Sequence, residues 1–357
     1  MPDRLYLDHA AITPVFPEAR HAIAAALERP GNPSSPHADG RQARAALEDA
    51  RRTIGETLGW RHDVILTSGG SEAIRIVAAA TVQRRIVGPT EHEAVIATMG
   101  EAAEVLPVDD NGLIDLRRLQ EVVAGGPALV AIQMVNNETG VMQPLDRICE
   151  IVRASGSLLL ADCAQSAGKI PLPDADFIAI TSQKFGGSPG SGALLVKDLA
   201  TLEATGGQER GYRRGTENLP GICGMAAALA SRAFAEAMPR LGSLRDQLER
   251  DILGAGGMVI AKHAPRIATI GAYAMPGVSS ASQVVQFDLA GISISAGSAC
   301  SSGSMKPSRV LAAMGVPSEI ASCAIRVSFS PWTSEADVDR FLTEWRKIAS
   351  RAKAQAA

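Results

Sequence analysis

The chain has 357 residues, of which 46% are hydrophobic and 20% charged, and its formal net charge at pH 7 is −3. This length allows about two domains with a substantial core, and the small negative charge excludes nucleic acid or an anionic membrane surface as the main partner. No stretch reaches the roughly 18 uninterrupted apolar residues of a membrane span, and five scattered cysteines without a CxxC pair fit a reducing compartment, so we expect a cytoplasmic protein.

Short apolar segments alternate with helical patterns along most of the chain. In chain order, the sequence predicts a helix over 41–59, a strand over 63–69, a helix over 71–83, and strands over 129–138, 157–165, 176–184 and 192–197. Buried strands separated by helices are typical of an α/β fold with a mostly parallel, doubly wound sheet. Ligands of such sheets bind beyond the carboxyl ends of the strands, where polar residues follow these segments.

A helix-rich stretch near 217–255 leads into a smaller α+β domain, which residues 325–353 complete. We therefore predict a large domain over residues 12–240. The small domain is predicted to combine residues 1–11 with 241–357 and to carry a cysteine-bearing loop at about 295–305.

Lys184 and Asp162 each end a predicted strand, in "ITSQK" and "SLLLAD". Alone, each residue also suits a structural role, as a solvated strand end or as a helix N-cap. Together, at the ends of successive parallel strands, they match a pyridoxal phosphate site. Such a site needs a lysine that binds the cofactor covalently and a carboxylate that keeps the pyridine nitrogen protonated.

The segment "TSGGSEA" (67–73) offers a place for the phosphate of that cofactor. It runs from a strand through a Gly-Gly turn into a helix, where backbone N–H groups and the helix dipole favour an anion. An ordinary N-cap at Ser71 is the alternative interpretation. His92, in "TEHEA", is a candidate to stack on the ring and move protons, although a lone histidine is more often structural.

Cys300 lies in "SAGSACSSGSM" (295–305), among side chains that can bury little surface. A thiol on such a segment suggests reactivity rather than packing. In contrast, Cys149, Cys163 and Cys323 lie in apolar contexts, and we expect them to be buried.

Taken in order, these motifs resemble those of the cysteine desulfurases, pyridoxal phosphate enzymes of aminotransferase class V and fold type I. The resemblance covers nearly the whole chain. It rests on "YLDHAAITPV" (6–15), "GNPSSPHADG" (31–40), "TSGGSE" (67–72), "TEHEAV" (90–95), "VNNETGVMQP" (135–144), "DCAQSAGK" (162–169), "SQKFGG" (182–187), "GGQERGYRRGTEN" (206–218), "SAGSACSS" (295–302) and "IRVSFSPWT" (325–333).

The resemblance implies a role for each matching residue. Lys184 would bind pyridoxal 5′-phosphate covalently, and Asp162 would pair with its ring nitrogen. The remaining cofactor contacts would come from Gln165 at the ring oxygen, His92 over the ring, Asn137 near the substrate and cofactor oxygen, and Gly70, Ser71, Thr181 and the partner subunit's Thr216 at the phosphate. Arg326 would bind the substrate carboxylate, and Cys300 would accept the sulfur.

The resemblance also implies a homodimer that converts L-cysteine to L-alanine. Cys300 would carry the sulfur as a persulfide and transfer it to an acceptor or an iron–sulfur scaffold protein. The long segment around Cys300 is similar to the extended-loop group of this family. One departure stands out, because Gln183 replaces a histidine that contacts the phosphate, and we expect it to serve as a weaker ligand.

Two alternatives remain open at this stage. A selenocysteine lyase or another pyridoxal phosphate β-lyase would use much of the same site without a catalytic thiol. A degenerate member of the fold could instead act as a binding partner, although Lys184, Asp162, His92, Cys300 and Arg326 are all present.

Overall fold

A computed structural model of the protein describes residues 4–29, 31–80, 84–296 and 308–356. In chain order the strands are β1 (Leu5–Tyr6), β2 (Asp63–Thr67), β3 (Arg84–Val87), β4 (Glu104–Val105), β5 (Ala128–Gln133), β6 (Leu158–Asp162), β7 (Phe177–Thr181), β8 (Gly192–Val196), β9 (Met258–Val259), β10 (Ile270–Ala274), β11 (Ile292–Ser293), β12 (Ser295–Ala296) and β13 (Ala324–Ser328).

The helices alternate with these strands. They are α1 (Pro17–Leu27), α2 (Ala38–Leu58), α3 (Gly70–Ala80), α4 (Glu93–Met99), α5 (Leu116–Val123), α6 (Leu145–Ala154), α7 (Leu219–Ala230), α8 (Ala233–Gly254), α9 (Ser280–Leu289), α10 (Arg309–Ala313), α11 (Ser318–Ala321) and α12 (Glu335–Ala356). Over the described ranges, no helix has both the length and the apolar composition needed to cross a membrane.

Seven strands form the main sheet, in the order β2-β8-β7-β6-β5-β3-β4. Neighbouring strands from β7 to β4 are parallel, whereas β8 is antiparallel to both β2 and β7. The predicted fold class, an α/β protein with a mostly parallel sheet, is therefore confirmed. The predicted strands and the two predicted helices all form, with bounds that differ by a few residues.

Both faces of the main sheet are covered, which explains why its central strands are continuous apolar runs. On β7, Ile178 and Ile180 pack in the core that includes α2 and α7, while Phe177 and Ala179 pack in a second core with α3. Side chains of a strand alternate between faces, so one five-residue strand contributes to two cores.

A smaller antiparallel sheet, ordered β12-β13-β10-β9, lies in the C-terminal part of the chain with α8 and α12. The N-terminal strand joins this part, because Leu5 of β1 pairs with Ile292 of β11 and its side chain shares a core with Phe341. The division into two domains stays a prediction, and this packing favours the grouping of residues 1–11 with the C-terminal part.

Helix α8 contributes to the cores of both parts of the molecule. Phe234, near its first turn, packs in the core under the main sheet, and Leu241 packs in the C-terminal core. Pro239 lies inside the helix between these two residues.

The segment predicted as a loop over 295–305 begins differently. Ser295 and Ala296 form β12, pair with Arg326 and Ile325, and are buried. The prediction was wrong for these two residues because small side chains do not prevent backbone pairing in a sheet. Residues 297–305 of the predicted loop, including Cys300, lie outside the described residues.

Glu209 links the loop after β8 to β2 and α2 by hydrogen bonds. Its carboxylate accepts hydrogen bonds from Arg51 at 2.5 and 2.9 Å and from the Leu66 amide at 2.8 Å, and its side chain is 1% exposed. Glu209→Ala should lower the free energy of unfolding by about 1–3 kcal/mol, because the Leu66 amide loses its buried acceptor and Arg51 keeps only Glu48 and the Val64 carbonyl.

Urea unfolding measures this effect. Asp49→Ala is the control, since it removes a carboxylate from the exposed pair with Arg52 and should leave the unfolding midpoint unchanged. Equal midpoints for the two variants would contradict the role given to Glu209.

Candidate active site

A cavity of about 320 Å³ lies at the carboxyl ends of the main-sheet strands, between them and the smaller sheet. Parallel strands end at one edge of a sheet, so residues that follow different strands meet there. The predicted site residues that line the cavity are Gly70, Ser71, His92, Asn137, Asp162, Gln165, Thr181, Gln183, Lys184 and Arg326.

Asp162 is the last residue of β6 and faces the cavity from the sheet. Its Oδ1 accepts a hydrogen bond from the Ala164 amide at 2.9 Å. Burial raises the pKa of the carboxyl, an effect that the Ala164 amide and the nearby His92 and Lys184 only partly offset. A cation bound beside Asp162 would reverse this effect by favouring the charged carboxylate.

Lys184 ends a short 3₁₀ turn that follows β7, the strand adjacent to β6. Its Nζ donates to the carbonyl oxygens of Ala10 at 2.9 Å and Ala11 at 2.5 Å. Burial lowers the pKa of the amine to about 8, and the positive charge of Arg326 adds to the lowering. At pH 7 about a tenth of the amine is therefore uncharged and nucleophilic, far more than for an ordinary lysine.

The first turn of α3 forms one end of the cavity. The amides of Gly70 and Ser71 have no carbonyl within this helix to which they can donate, as at every helix start. Thr181 Oγ1 lies beside them and donates to Gln183 Oε1 at 2.6 Å, while Gln183 Nε2 has no acceptor among the described residues and can donate to a ligand. This set of donors suits an anion.

His92 is the N-cap of α4, because its Nδ1 accepts a hydrogen bond from the Ala94 amide at 3.1 Å. A neutral imidazole that accepts at Nδ1 carries its proton on Nε2. The structural and the functional interpretations of His92 are thus compatible, since the cap fixes the ring and its tautomer beside the cavity.

Arg326 lies on β13 and is 6% exposed. Its Nη1 donates to the Asn137 carbonyl oxygen at 2.9 Å, and its Nη2 pairs with Asp8 Oδ1 at 2.7 Å. Its Nε is buried and has no acceptor among the described residues. Asp8 was not predicted as a site residue.

Gln165 connects the cavity to the N-terminal segment. Its Nε2 donates to the Ala10 carbonyl at 2.9 Å, while its buried Oε1 has no partner in the described part of the chain. One end of the amide is thus held by the protein and the other remains for a ligand. The contacts of Ala10 and Ala11 were missed by sequence analysis, because backbone carbonyls bind here and carry no residue-type signal.

A family model for aminotransferase class-V proteins matches residues 5–341. The chain belongs to the aminotransferase class-V family. A protein named cysteine desulfurase from Cereibacter sphaeroides is 36% identical, with 99% of this chain and 97% of that protein covered. The cysteine desulfurase IscS of Dictyoglomus turgidum is 33% identical, with 98% and 96% covered.

Solved structures agree with this assignment. The NifS-like protein from Rickettsia africae has a TM-score of 0.90 and 29% identity, with 98% of this chain and all of that chain covered. The resemblance of this class-V protein to the cysteine desulfurases is thus confirmed, and enzymes of this family depend on pyridoxal phosphate.

One predicted site residue does not line this cavity, and another lies outside the described residues. Thr216, whose carbonyl accepts from Arg213 at 3.3 Å, does not line the cavity of its own chain, and its role in a partner's site stays a prediction. Cys300 is outside the described residues. Cys149, Cys163 and Cys323 are buried, as expected. No group of residues able to hold a metal ion occurs where the chain is described.

The lowered pKa of Lys184 can be tested in the cofactor-free protein. Reductive methylation consumes neutral amines, so modification of Lys184 should rise with pH through a midpoint near 8. Mass spectrometry of the modified peptides measures this profile. Lys347, which is 56% exposed, is the control within the same sample. Identical pH profiles for the two lysines would refute the effect of burial.

Proposed function

We propose that this class-V protein is a pyridoxal 5′-phosphate-dependent cysteine desulfurase. It would convert L-cysteine to L-alanine and transfer the sulfur to Cys300. The observation that carries the proposal is the meeting of Lys184, Asp162 and Arg326 around one cavity. An amine, a carboxylate and a guanidinium are the groups that this chemistry needs for the cofactor aldehyde, the ring nitrogen and the substrate carboxylate.

The donors and acceptors around the cavity fit the cofactor. The free amides of Gly70 and Ser71, with Gln183 Nε2, would hold the phosphate. Asp162 would pair with the ring nitrogen, and Gln165, whose amide has one unpartnered end, would contact the ring oxygen. His92, fixed by its N-cap bond, would lie over the ring. When bound, the cofactor supplies an electron sink for the bonds at the substrate Cα.

The protein's own residues would bind the substrate and move its protons. Arg326 binds the carboxylate of L-cysteine, a task suited to a planar fork of N–H donors. Lys184 Nζ takes the Cα proton, because the amine is neutral in part near pH 8 and lies in the same cavity. His92, which lines the same cavity, would donate or accept a proton at Nε2.

The sulfur step would take place at Cys300. The Cys300 thiolate attacks the substrate sulfur, and the substrate's Cβ–S bond breaks as the S–S bond forms. The electron pair of the broken bond stays with the carbon skeleton, which takes up a proton and leaves as L-alanine, and Cys300 keeps the sulfur as a persulfide. A thiolate is required, and an ordinary thiol is only a few per cent ionised at pH 7. A nearby base such as His92 would assist the deprotonation.

The proposal extends to partners that the sequence suggests. We infer a homodimer in which Thr216 serves the neighbouring site, and a sulfur acceptor or iron–sulfur scaffold protein that takes the persulfide sulfur. Nucleic acid and membranes are not expected as partners, and a cytoplasmic location follows from the cysteine usage alone.

Cys300→Ser tests the transfer of sulfur. The variant should bind the cofactor normally, because Lys184 and Asp162 are unchanged, and should release less than about 1% of the wild-type sulfide, because a hydroxyl cannot hold a persulfide. Sulfide and alanine are measured with cysteine and a reductant. Mass spectrometry of the wild type before reduction should place one extra sulfur on the peptide that contains Cys300.

The same variant separates the alternative function. Full cysteine turnover by Cys300→Ser would contradict the carrier role. Turnover of selenocysteine, together with no turnover of cysteine by the wild type, would favour a selenocysteine lyase, whose better leaving group needs no catalytic thiol.

Arg326→Ala tests substrate recognition. KM for cysteine should rise about 30-fold to 1000-fold, because removing one partner of a buried charge pair costs about 2–4 kcal/mol. Steady-state kinetics at saturating cofactor give this number, and the cofactor's visible absorbance should be unchanged. Arg326→Lys should recover only part of the loss, since an ammonium lacks the fork. An unchanged KM in Arg326→Ala would exclude this role.

A further inference from the structure

The charge of Arg326 is already satisfied within the protein. Its Nη2 pairs with Asp8 Oδ1 at 2.7 Å, and the two side chains are 7% and 20% exposed. A substrate carboxylate that binds Arg326 therefore arrives at a guanidinium that holds another carboxylate. We propose that Asp8 is an internal competitor for the substrate-carboxylate position on Arg326, and that it sets the affinity of the site for amino acids. The inference rests on the proposed function of Arg326.

The fold keeps Asp8 in place independently of Arg326. The backbone of Asp8 bridges to Ser328, which lies two residues after Arg326 on the same strand. The Ser328 amide donates to the Leu7 carbonyl at 2.8 Å, and the Ala10 amide donates to Ser328 Oγ at 2.9 Å. Since backbone bonds on both sides fix its position, the Asp8 carboxylate stays within reach of Arg326 when a ligand takes its place.

Arg326 does not need Asp8 for its orientation. Its Nη1 donates to the Asn137 carbonyl oxygen at 2.9 Å, and this neutral acceptor remains when Asp8 is displaced. The arginine is also fixed by its strand, in which it pairs with Ala272 and Ser295. These contacts distinguish a competitor from a residue that merely positions the guanidinium.

The geometry also explains how a substrate carboxylate can displace Asp8 from Arg326. Asp8 engages Nη2 through one oxygen, while Nε, on the same edge of the planar guanidinium, has no acceptor in the described structure. A ligand carboxylate that takes this edge makes two parallel bonds where Asp8 makes one. The Asp8 side chain is partly exposed, so its displaced carboxylate can be hydrated.

This competition selects ligands by their carboxylate. An amine without a carboxylate leaves the Asp8–Arg326 pair intact and gains nothing from its removal. An amino acid must break the pair. Its apparent association constant is therefore the intrinsic constant multiplied by the fraction of molecules in which Arg326 is free. Asp8 acts through Arg326 and is thus a specificity-determining residue that does not touch the reacting atoms.

The test compares L-alanine with ethylamine, which is alanine without its carboxylate, by titrating the visible absorbance of the holoenzyme. Asp8→Asn should bind L-alanine about tenfold more tightly than the wild type, the factor expected if the pair occupies Arg326 in about nine-tenths of molecules. Ethylamine affinity should change less than that of L-alanine, since Arg326 takes no part in its binding. The charge of Asp8 also acts on Lys184, and because this effect is common to both ligands, the ratio of the two affinities is the readout. KM for cysteine should fall in the variant without a rise in kcat.

Two further variants complete the design. Asp8→Ser also removes the carboxylate and should reproduce the effect. Asp251→Asn is the matched control, because it breaks an Arg–Asp pair of the same 2.7 Å length, with Arg346, far from the cavity, and should change neither affinity.

Unchanged or weaker binding of L-alanine by Asp8→Asn and Asp8→Ser overturns the proposal, and so does an equal change for ethylamine. Cysteine turnover by the wild type tests the proposed function separately. A holoenzyme that binds L-alanine but releases no sulfide would refute the desulfurase, while the comparison of alanine with ethylamine would still decide the role of Asp8.

Discussion

The site depends on one constraint, the contacts of the N-terminal segment at residues 8–11 with distant parts of the chain, where the carbonyls of Ala10 and Ala11 accept hydrogen bonds from the free Lys184 amine. The same N-terminal segment binds Gln165 through Ala10 and pairs with β13 through Asp8. The main sheet supplies Lys184 and Gln165, and the smaller sheet supplies Arg326. The segment at residues 8–11 therefore fixes the distance between the residues proposed to bind cofactor and those proposed to bind substrate.

Burial of ionisable groups around the cavity is the second constraint. Glu91 is 1% exposed and accepts a hydrogen bond from the Gln133 amide at 2.9 Å, and burial raises its pKa well above the ordinary value. Burial likewise lowers the pKa of Lys169 to about 7 and that of His9 to about 4. Burial thus favours the uncharged form of each of these groups.

Sequence reasoning worked where residue type and strand periodicity coincide. Lys184 and Asp162 could be placed together because parallel strands end at one edge, and no coordinates are needed for that argument.

Sequence reasoning failed where the contacts are made by backbone groups. The carbonyls of Ala10 and Ala11 carry no side-chain signal, and β12 pairs although its residues are small. Strand β3 was not predicted, because Arg84 and Arg85 interrupt the apolar pattern of a buried strand. In the structure their guanidinium groups donate to nearby backbone carbonyls. Asp8 was quoted within a motif, but its pairing with Arg326 spans 318 residues and required the fold.

Helix α8 has a mechanical consequence. Because Phe234 and Leu241 belong to different cores, a rotation of one part of the molecule against the other must bend the helix within the six residues between 234 and 241 or be resisted by the whole helix. Pro239 has no N–H to donate to the carbonyl four residues earlier, so the helix bends most easily at this position. A rotation of the two parts would therefore bend α8 near Pro239, outside the residues that line the cavity, and would also strain the contacts of the segment at residues 8–11.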